Sequence, residues 1–434
     1  MSERHDSRTV GSRAAPASEP DFPLPPIPVA RAQRRVPRWS ELQPFLRPRP
    51  FIRDAVDRRV AQAESVAALR TMARRRVPRA VFDYTDGAAG DEHSLRRSRQ
   101  LLESVEFRPR VLRDVSAVDT STQILGAFSA LPVGLAPTGF TRMMHHEGEA
   151  AAARAAQRHG VPYALSTLGT TSIEDVARAA PEGRRWFQLY LWQDRAASHD
   201  LIERAAQHGY EALVLTVDTA VAGQRLRDVR NGFSIPPALT LRTVVDAARK
   251  PRWWFDLLTT EPLQFASLSS WGGTVADLAN SMFDPSATLE DVQWLREHWK
   301  GRLVVKGVQC AEDAEAVVAA GADAVVVSNH GGRQLDRAAA PLSIVGEVAQ
   351  AVGDRADVIV DGGILSGSDA VAALCLGADF VLIGRAYLYG LMVGGERGVD
   401  RVLDLFKAEM ANTMQLLGVN SVDQLGPDLV ADLS

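Results

Sequence analysis

Cysteine is nearly absent from the sequence: only Cys310 and Cys375 occur, in unrelated contexts and without the spacing of metal ligands. Neither a disulfide framework nor a metal site is therefore indicated, and the usage fits a reducing cytoplasm. Long hydrophobic runs are also missing. No stretch reaches the roughly 18 to 20 apolar residues of a spanning helix, and the N-terminus has no apolar core of the secretory kind. Positive charge is not in excess, since 49 Lys and Arg stand against 53 Asp and Glu for a formal charge of −4. A nucleic-acid partner is excluded on that ground. Nor is there a Gly-rich first turn followed about 20 residues later by an acidic residue, the usual mark of an open doubly wound sheet.

What is present is ordinary globular material, 46% hydrophobic and 24% charged over 434 residues, which suits one large domain with appendages. Residues 1–37 are rich in Arg, Ser, Ala and Pro, with Pro23, Pro25, Pro26 and Pro28 clustered, and are expected to form a disordered tail. Glu3, Asp6, Glu19 and Asp21 argue against a transit peptide. From residue 130 onward, short apolar runs alternate with amphipathic stretches, the pattern of parallel strands joined by crossover helices. Eight runs are counted: Leu131–Pro137, Tyr163–Thr167, Trp186–Leu191, Ala212–Asp218, Leu303–Val308, Ala324–Ser328, Val358–Asp361 and Phe380–Gly384. The predicted fold is an α/β (β/α)8 barrel over 130–434, preceded by an N-terminal helical cap segment over 38–129. In that segment Ser65–Arg75 reads as a helix over the N-terminal side of the barrel. Between the fourth and fifth barrel strands lies an insertion of about 219–288, far longer than an ordinary connection.

Barrel enzymes place their chemistry at the C-terminal ends of the strands. Nearly every run here closes on a polar residue: Thr138, Ser166, Gln188 and Tyr190, Thr216 and Asp218, Lys306, Ser328 with Asn329 and His330, Asp361 and Arg385. A lone Ser or Thr at such a place is more often a helix cap. Lys306 is different, because an unpaired ammonium inside an apolar strand is costly and should face an anion or developing negative charge. His330 precedes Gly331-Gly332, which allow close approach of a ligand, and Arg333 would set a guanidinium nearby to grip a carboxylate. Asp361-Gly362-Gly363 and Gly384-Arg385 stand where barrels hold a phosphate group.

Taken together, Ser328-Asn-His-Gly-Gly-Arg-Gln-Leu-Asp336, Ala136-Pro-Thr-Gly139, Trp186-Phe-Gln-Leu-Tyr190, Leu215-Thr-Val-Asp218, Val305-Lys-Gly307 and Ile383-Gly-Arg385 resemble the flavin mononucleotide (FMN)-dependent L-2-hydroxy acid dehydrogenases and oxidases. The resemblance covers roughly 60–425. Within that family, Pro236-Pro-Ala-Leu-Thr-Leu-Arg242 and Pro251-Arg-Trp-Trp-Phe-Asp256 look most like the actinobacterial L-lactate dehydrogenases. The resemblance implies His330 as base, Asp218 as stabiliser of its imidazolium, and Arg225 and Arg333 as a clamp on the substrate carboxylate. It implies Tyr84 and Tyr190 as hydrogen-bond partners of the substrate and Lys306 as the charge beside the flavin N1 and C2 oxygen. Pro137, Thr138, Gly139, Ser166, Gln188, Thr216 and Ser328 would hold the ring and ribityl chain, and Asp361, Gly362, Gly363, Gly384 and Arg385 the phosphate end. The implied reaction is oxidation of a small L-2-hydroxy acid, L-lactate first, with mandelate or another bulkier acid as the alternative and a flavin-binding isomerase as a remote one. Electrons would pass to quinone, oxygen or a separate carrier. The residues before the resembling region are too few and too Pro-rich for a haem domain.

Two departures carry information. Many members place an arginine after Asp361-Gly-Gly-Ile364, where this chain has Leu365 and then Ser366-Gly367, so phosphate binding should lean on Arg385 and backbone N–H groups. Leu168 stands where glycolate oxidases carry tryptophan, and with Gly139 it leaves room for a side chain longer than that of glycolate. In the insertion, Trp253-Trp-Phe-Asp-Leu-Leu258 beside Arg249, Lys250 and Arg252 suits a membrane boundary. Two readings of the stretch about 237–285 stand side by side, a loop packed over the active-site mouth or a neighbouring subunit and a peripheral contact with the inner face of the cell membrane. A homo-oligomer, a tetramer, is expected of an otherwise cytoplasmic protein.

Overall fold

The computed structural model describes residues 34–46, 52–232, 248–268 and 283–431. The Pro-rich tail up to residue 33, and residues 233–247 and 269–282 of the insertion, lie outside the described residues. The chain divides into two compact units, Met1–Phe51 and Ile52–Ser434. In the first, a helical turn Trp39–Leu42 runs into a 3-10 turn Gln43–Phe45, with an exposed Arg35–Glu41 ion pair of 2.7 Å.

The second unit opens with a short helix, Ala55–Val60, followed by helices α1 (Val66–Arg76), α2 (Arg79–Asp86) and α3 (His93–Glu103), then an antiparallel hairpin, β1 (Thr122–Ile124) and β2 (Ala127–Ser129). Eight parallel strands follow: β3 (Val133–Leu135), β4 (Tyr163–Ser166), β5 (Arg185–Leu189), β6 (Ala212–Thr216), β7 (Arg302–Val308), β8 (Ala324–Val327), β9 (Asp357–Asp361) and β10 (Phe380–Ile383). They close in the order β10-β3-β4-β5-β6-β7-β8-β9, each on one of the eight apolar runs. Almost every strand residue is buried, as a parallel sheet covered on both sides requires. The helices after β3 include α4 (Gly148–His159), α5 (Arg195–Gln207), α6 (Leu226–Arg230) and α7 (Pro251–Leu258) of the insertion, α8 (Leu289–His298), α9 (Gly367–Cys375), α10 (Arg385–Gly394) and α11 (Glu396–Leu417). Side-chain caps start several of them: Asp194 accepts from Ala196 N at 3.0 Å and Ser366 from Asp369 N at 3.0 Å.

Strand side chains alternate between the two faces. The inward row at the N-terminal end of the barrel is apolar, formed by Ala164, Trp186, Ala212, Val214, Val304, Val326, Ile359, Phe380 and others in one buried cluster with Ile124 and Leu125. The hairpin therefore plugs this mouth, held by Leu125 N to Asp357 Oδ2 at 2.7 Å and Arg184 Nη2 to Ile124 O at 3.0 Å. This corrects the expectation for the Ser65–Arg75 helix. Its Val66 and Arg70 instead line the cavity at the opposite, C-terminal end of the barrel. The helix follows its own amphipathic face onto α10, whereas the short hairpin supplies the apolar tip that fits the barrel bottom.

Candidate active site

Two residues further along each inward row, the side chains turn polar. Ala164 is followed by Ser166, Trp186 by Gln188, Val214 by Thr216, Val304 by Lys306, Val326 by Ser328 and Ile359 by Asp361. The alternation that fills the barrel bottom thus aims one polar layer at the C-terminal mouth. There a cavity of about 950 Å³ opens, at the upper end of the roughly 300–1,000 Å³ of ligand pockets.

Of the residues singled out in the sequence, Tyr84, Pro137, Thr138, Gly139, Ser166, Gln188, Tyr190, Thr216, Arg225, Lys306, His330, Arg333, Asp361, Gly362, Gly363, Gly384 and Arg385 all line this one cavity. Asp218 and Ser328 do not line it and stand behind it. Ser328 Oγ, fully buried, accepts from Lys306 Nζ at 2.8 Å and from His330 N at 3.0 Å. Asp218 Oδ1 accepts from His330 Nδ1 at 3.1 Å. With Nδ1 engaged, Nε2 is the ring nitrogen left for the cavity. Burial pushes the Asp218 carboxyl up, but the electrostatic pull and hydrogen bond of His330, with the charge of Lys306, outweigh it and hold it below the usual carboxylate range. His330 itself sits at φ 56, a left-handed conformation that a non-glycine residue keeps only where its surroundings enforce it. Gly307 makes the pairing possible: it lies in a bulge of β7 at φ 106, and a Cβ there would come within 2.8 Å of the Asp218 side chain.

Lys306 faces an anion, as its burial in an apolar strand requires. Its Nζ lies 2.8 Å from Asp361 Oδ2, so a carboxylate two strands away offsets the cost of its burial. Asp361 is thereby a partner of Lys306 as well as part of the glycine turn. Its other oxygen, Oδ1, is buried with no hydrogen-bond partner among the described residues.

At the other side of the mouth, α2 carries Tyr84 and the loop after β8 carries Arg333. Arg333 Nη1 donates to Tyr84 O at 2.6 Å and Gly87 O at 3.2 Å, and its guanidinium carbon lies 5.0 Å from the Tyr84 ring centroid. Arg225, N-cap of α6, lies 5.8 Å from the same ring. Burial first, then the charge of Arg225, pushes Arg333 down to about 10. Two like charges held over one ring define a site for an anion. The Tyr190 hydroxyl is pushed up by burial and then by Asp218, so it stays protonated and able to donate.

Several residues here carried no sequence signal. Asp228 lies 3.9 Å from Arg225 and is pushed up by burial. Phe265 and Phe283 come from the insertion, with ring centroids 4.7 Å from Phe140 and 5.3 Å from Tyr190. Asp86 gathers Arg70, Arg227 at 3.0 Å and Tyr389 at 2.9 Å, and so fixes the end of α2 that bears Tyr84. Arg99 of α3 reaches the Gly363 turn. Only the three-residue step from Arg225 to Asp228 on one helix face was open to sequence reasoning.

A parallel barrel with a His–Asp pair, a buried lysine and paired arginines at its C-terminal mouth has the layout of a barrel oxidoreductase using a bound cofactor. The profile of the FMN-dependent dehydrogenases matches residues 73–432, and the chain belongs to that family. It is 54% identical over 401 residues to a Mycobacterium tuberculosis protein provisionally named an L-lactate dehydrogenase, covering 92% of this chain and 97% of that one. An L-lactate dehydrogenase of Caulobacter vibrioides is 45% identical over 375 residues, 85% and 97% of the two chains. Among solved structures, (S)-mandelate dehydrogenase, described as a monotopic membrane protein, superposes with a TM-score of 0.83 at 39% identity over 86% of this chain and all of that one. Mandelate oxidase gives 0.74 at 40% identity, over 85% and 98%.

Proposed function

We propose that the protein oxidises L-lactate to pyruvate with FMN, and that the observation carrying this is the His330–Asp218 pair, 3.1 Å apart, beside the Arg225–Arg333 pair over Tyr84. The donor set fits the cofactor. Gln188 and Thr216 offer an amide and a hydroxyl to a polar ring edge, and the orphaned Asp361 Oδ1 suits a hydroxyl of the ribityl chain. The glycine turns after β9 and β10 suit a phosphate. When bound, FMN accepts the two electrons that leave the substrate.

The protein's own groups supply the rest. Arg225 and Arg333 hold the carboxylate, and Tyr84 and Tyr190 orient the 2-hydroxyl. His330 Nε2 takes a proton from the substrate, and Asp218 stabilises the imidazolium that results. Lys306 would offset the negative charge that a bound flavin takes up. Lactate is favoured by the names of the more similar relatives. Mandelate is the second reading, because Gly139 packs against Leu168 and the cavity wall adds Phe140 and Phe265. Anaerobic titration of the purified flavoprotein tests both: L-lactate is expected to bleach the flavin faster than (S)-mandelate. Faster bleaching by mandelate reverses the order, and no bleaching by any 2-hydroxy acid removes the proposal.

We further propose that α7 rests on a membrane surface. Its Phe255 and Leu258 are 67% and 75% exposed, next to the exposed basic Arg249 and Arg252, and among the described residues no helix is long and apolar enough to cross a membrane. The monotopic character of (S)-mandelate dehydrogenase supports this placement.

A further inference from the structure

The cavity does not stop at the glycine turns. Past Gly362-Gly363 it continues to Leu365 and Ser366, and Arg99 of α3 forms part of its wall there. α3 is wedged against this turn. Gly363 has φ 91, and a Cβ on it would meet Leu102 at 3.1 Å and Ser98 at 3.2 Å, both on α3. Asn329 Nδ2 also donates to Ser98 Oγ at 3.3 Å, so the same helix backs the His330 loop. Arg99 Nη1 donates to Gly363 O at 2.6 Å and Asp369 Oδ2 at 2.6 Å, and Nη2 to Glu103 Oε1 at 3.2 Å. These contacts fix the guanidinium and use three of its five N–H donors.

Charge decides what such a residue does. A phosphate monoester brings about −1.5 to −2 at neutral pH, and at this end of the cavity it would meet Asp369 and Glu409. Burial, more than the neighbouring Asp369, pushes Glu409 up, and its Oε2 accepts from Gly367 N at 2.7 Å. Of the cations, Arg385 is already donating to Thr85 O at 3.0 Å, Gly87 O at 2.8 Å and Gly331 O at 2.9 Å. One arginine with two donors left is thin cover for a dianion among carboxylates. A second arginine in the cavity wall, held at the Gly363 turn, is Arg99.

We propose that Arg99 is a phosphate-binding residue of the flavin site, contributed by α3 and acting with Arg385 on the terminal phosphate of FMN. This rests on the flavin site described above. The test compares equilibrium binding of FMN and of riboflavin, which lacks the phosphate, to the full-length apoprotein by quenching of flavin fluorescence. Losing a charge-assisted hydrogen bond costs roughly ten- to a hundred-fold in affinity. Arg99→Gln is therefore expected to weaken FMN by that factor and leave riboflavin within about two-fold, and Arg99→Lys, which keeps the ion pairs with Asp369 and Glu103, to restore part of the preference. Equal weakening of both flavins would mean that Arg99 only braces the turn, and no weakening of FMN would mean that Arg385 suffices. Either overturns the proposal. Wild-type protein that binds neither flavin overturns the flavin site itself, a result readily told apart from the other two.

Discussion

At the scale of single residues, the His330–Asp218 contact sets both a tautomer and a charge. A carboxylate accepting from Nδ1 keeps the proton on that nitrogen, leaves Nε2 as the acceptor, and stabilises the imidazolium formed once Nε2 is protonated. Asparagine at 218 can keep the shape and present its N–H₂ instead, which favours the wrong tautomer and removes the charge. Asp218→Asn is expected to lower kcat on the order of 100-fold with FMN affinity unchanged, because Asp218 stands behind the cavity wall. Steady-state kinetics and flavin titration check this, and near-normal kcat would deny Asp218 its role. Stability should respond as well. A carboxyl lowered in the folded state contributes stability that is present above its unfolded pKa of about 3.9 and lost as pH falls through the folded value. Asp218→Asn should therefore be less stable than wild type near neutrality, with the gap narrowing below about pH 4. Thermal melts across that range measure it.

At the scale of elements, the bulge in β7 joins Lys306 to Asp218. Gly307→Ala would force φ 106 on a residue with a Cβ and drive that Cβ to 2.8 Å from Asp218. A loss on the order of 1–3 kcal/mol is expected from the backbone alone, read as a lower urea midpoint, together with displacement of Asp218 and reduced turnover. An alanine variant with wild-type midpoint and rate would show that the bulge is not needed. The strands themselves were legible because each is an apolar run closed by a polar residue, and the period of two that sends Val304 inward sends Lys306 inward as well. The hairpin was not, since β1 and β2 have three residues each and bury mainly Ile124 and Leu125 at their tip. The pairing of Lys306 with Asp361 was hidden for a different reason. The two lie on β7 and β9, with β8 between them, and only closure of the barrel brings them to 2.8 Å. Arg99 sits in a helix with two other arginines, Arg96 and Arg97, and no motif around it, so its place at the glycine turn emerges only from the packing of α3.

At the scale of the whole molecule, the insertion is fastened to the barrel at several points, and these decide which of its side chains can meet a membrane. Trp253 Nε1 donates to Met143 O at 2.9 Å, Lys250 Nζ to Arg75 O at 2.5 Å and Arg142 Nη2 to Glu261 O at 2.7 Å. Replacing Trp253 would therefore loosen α7 from the barrel and report on docking rather than on lipid. Phe255 and Leu258, three residues apart on α7 and exposed, are the side chains free to enter an acyl boundary, with Arg249 and Arg252 placed for anionic headgroups. Each apolar side chain fully buried contributes about 1.5–3 kcal/mol, so Phe255→Ser with Leu258→Ser is expected to weaken binding to phosphatidylserine-containing vesicles roughly 100-fold or more. The wild-type holoenzyme should sediment with such vesicles at low salt and be released as salt screens the headgroup charge. L-lactate should reduce the flavin of the double variant at the wild-type rate, because neither residue lines the cavity. Wild-type protein that stays in the supernatant beside anionic vesicles, or a double variant that sediments as well as wild type, would remove α7 as the membrane contact.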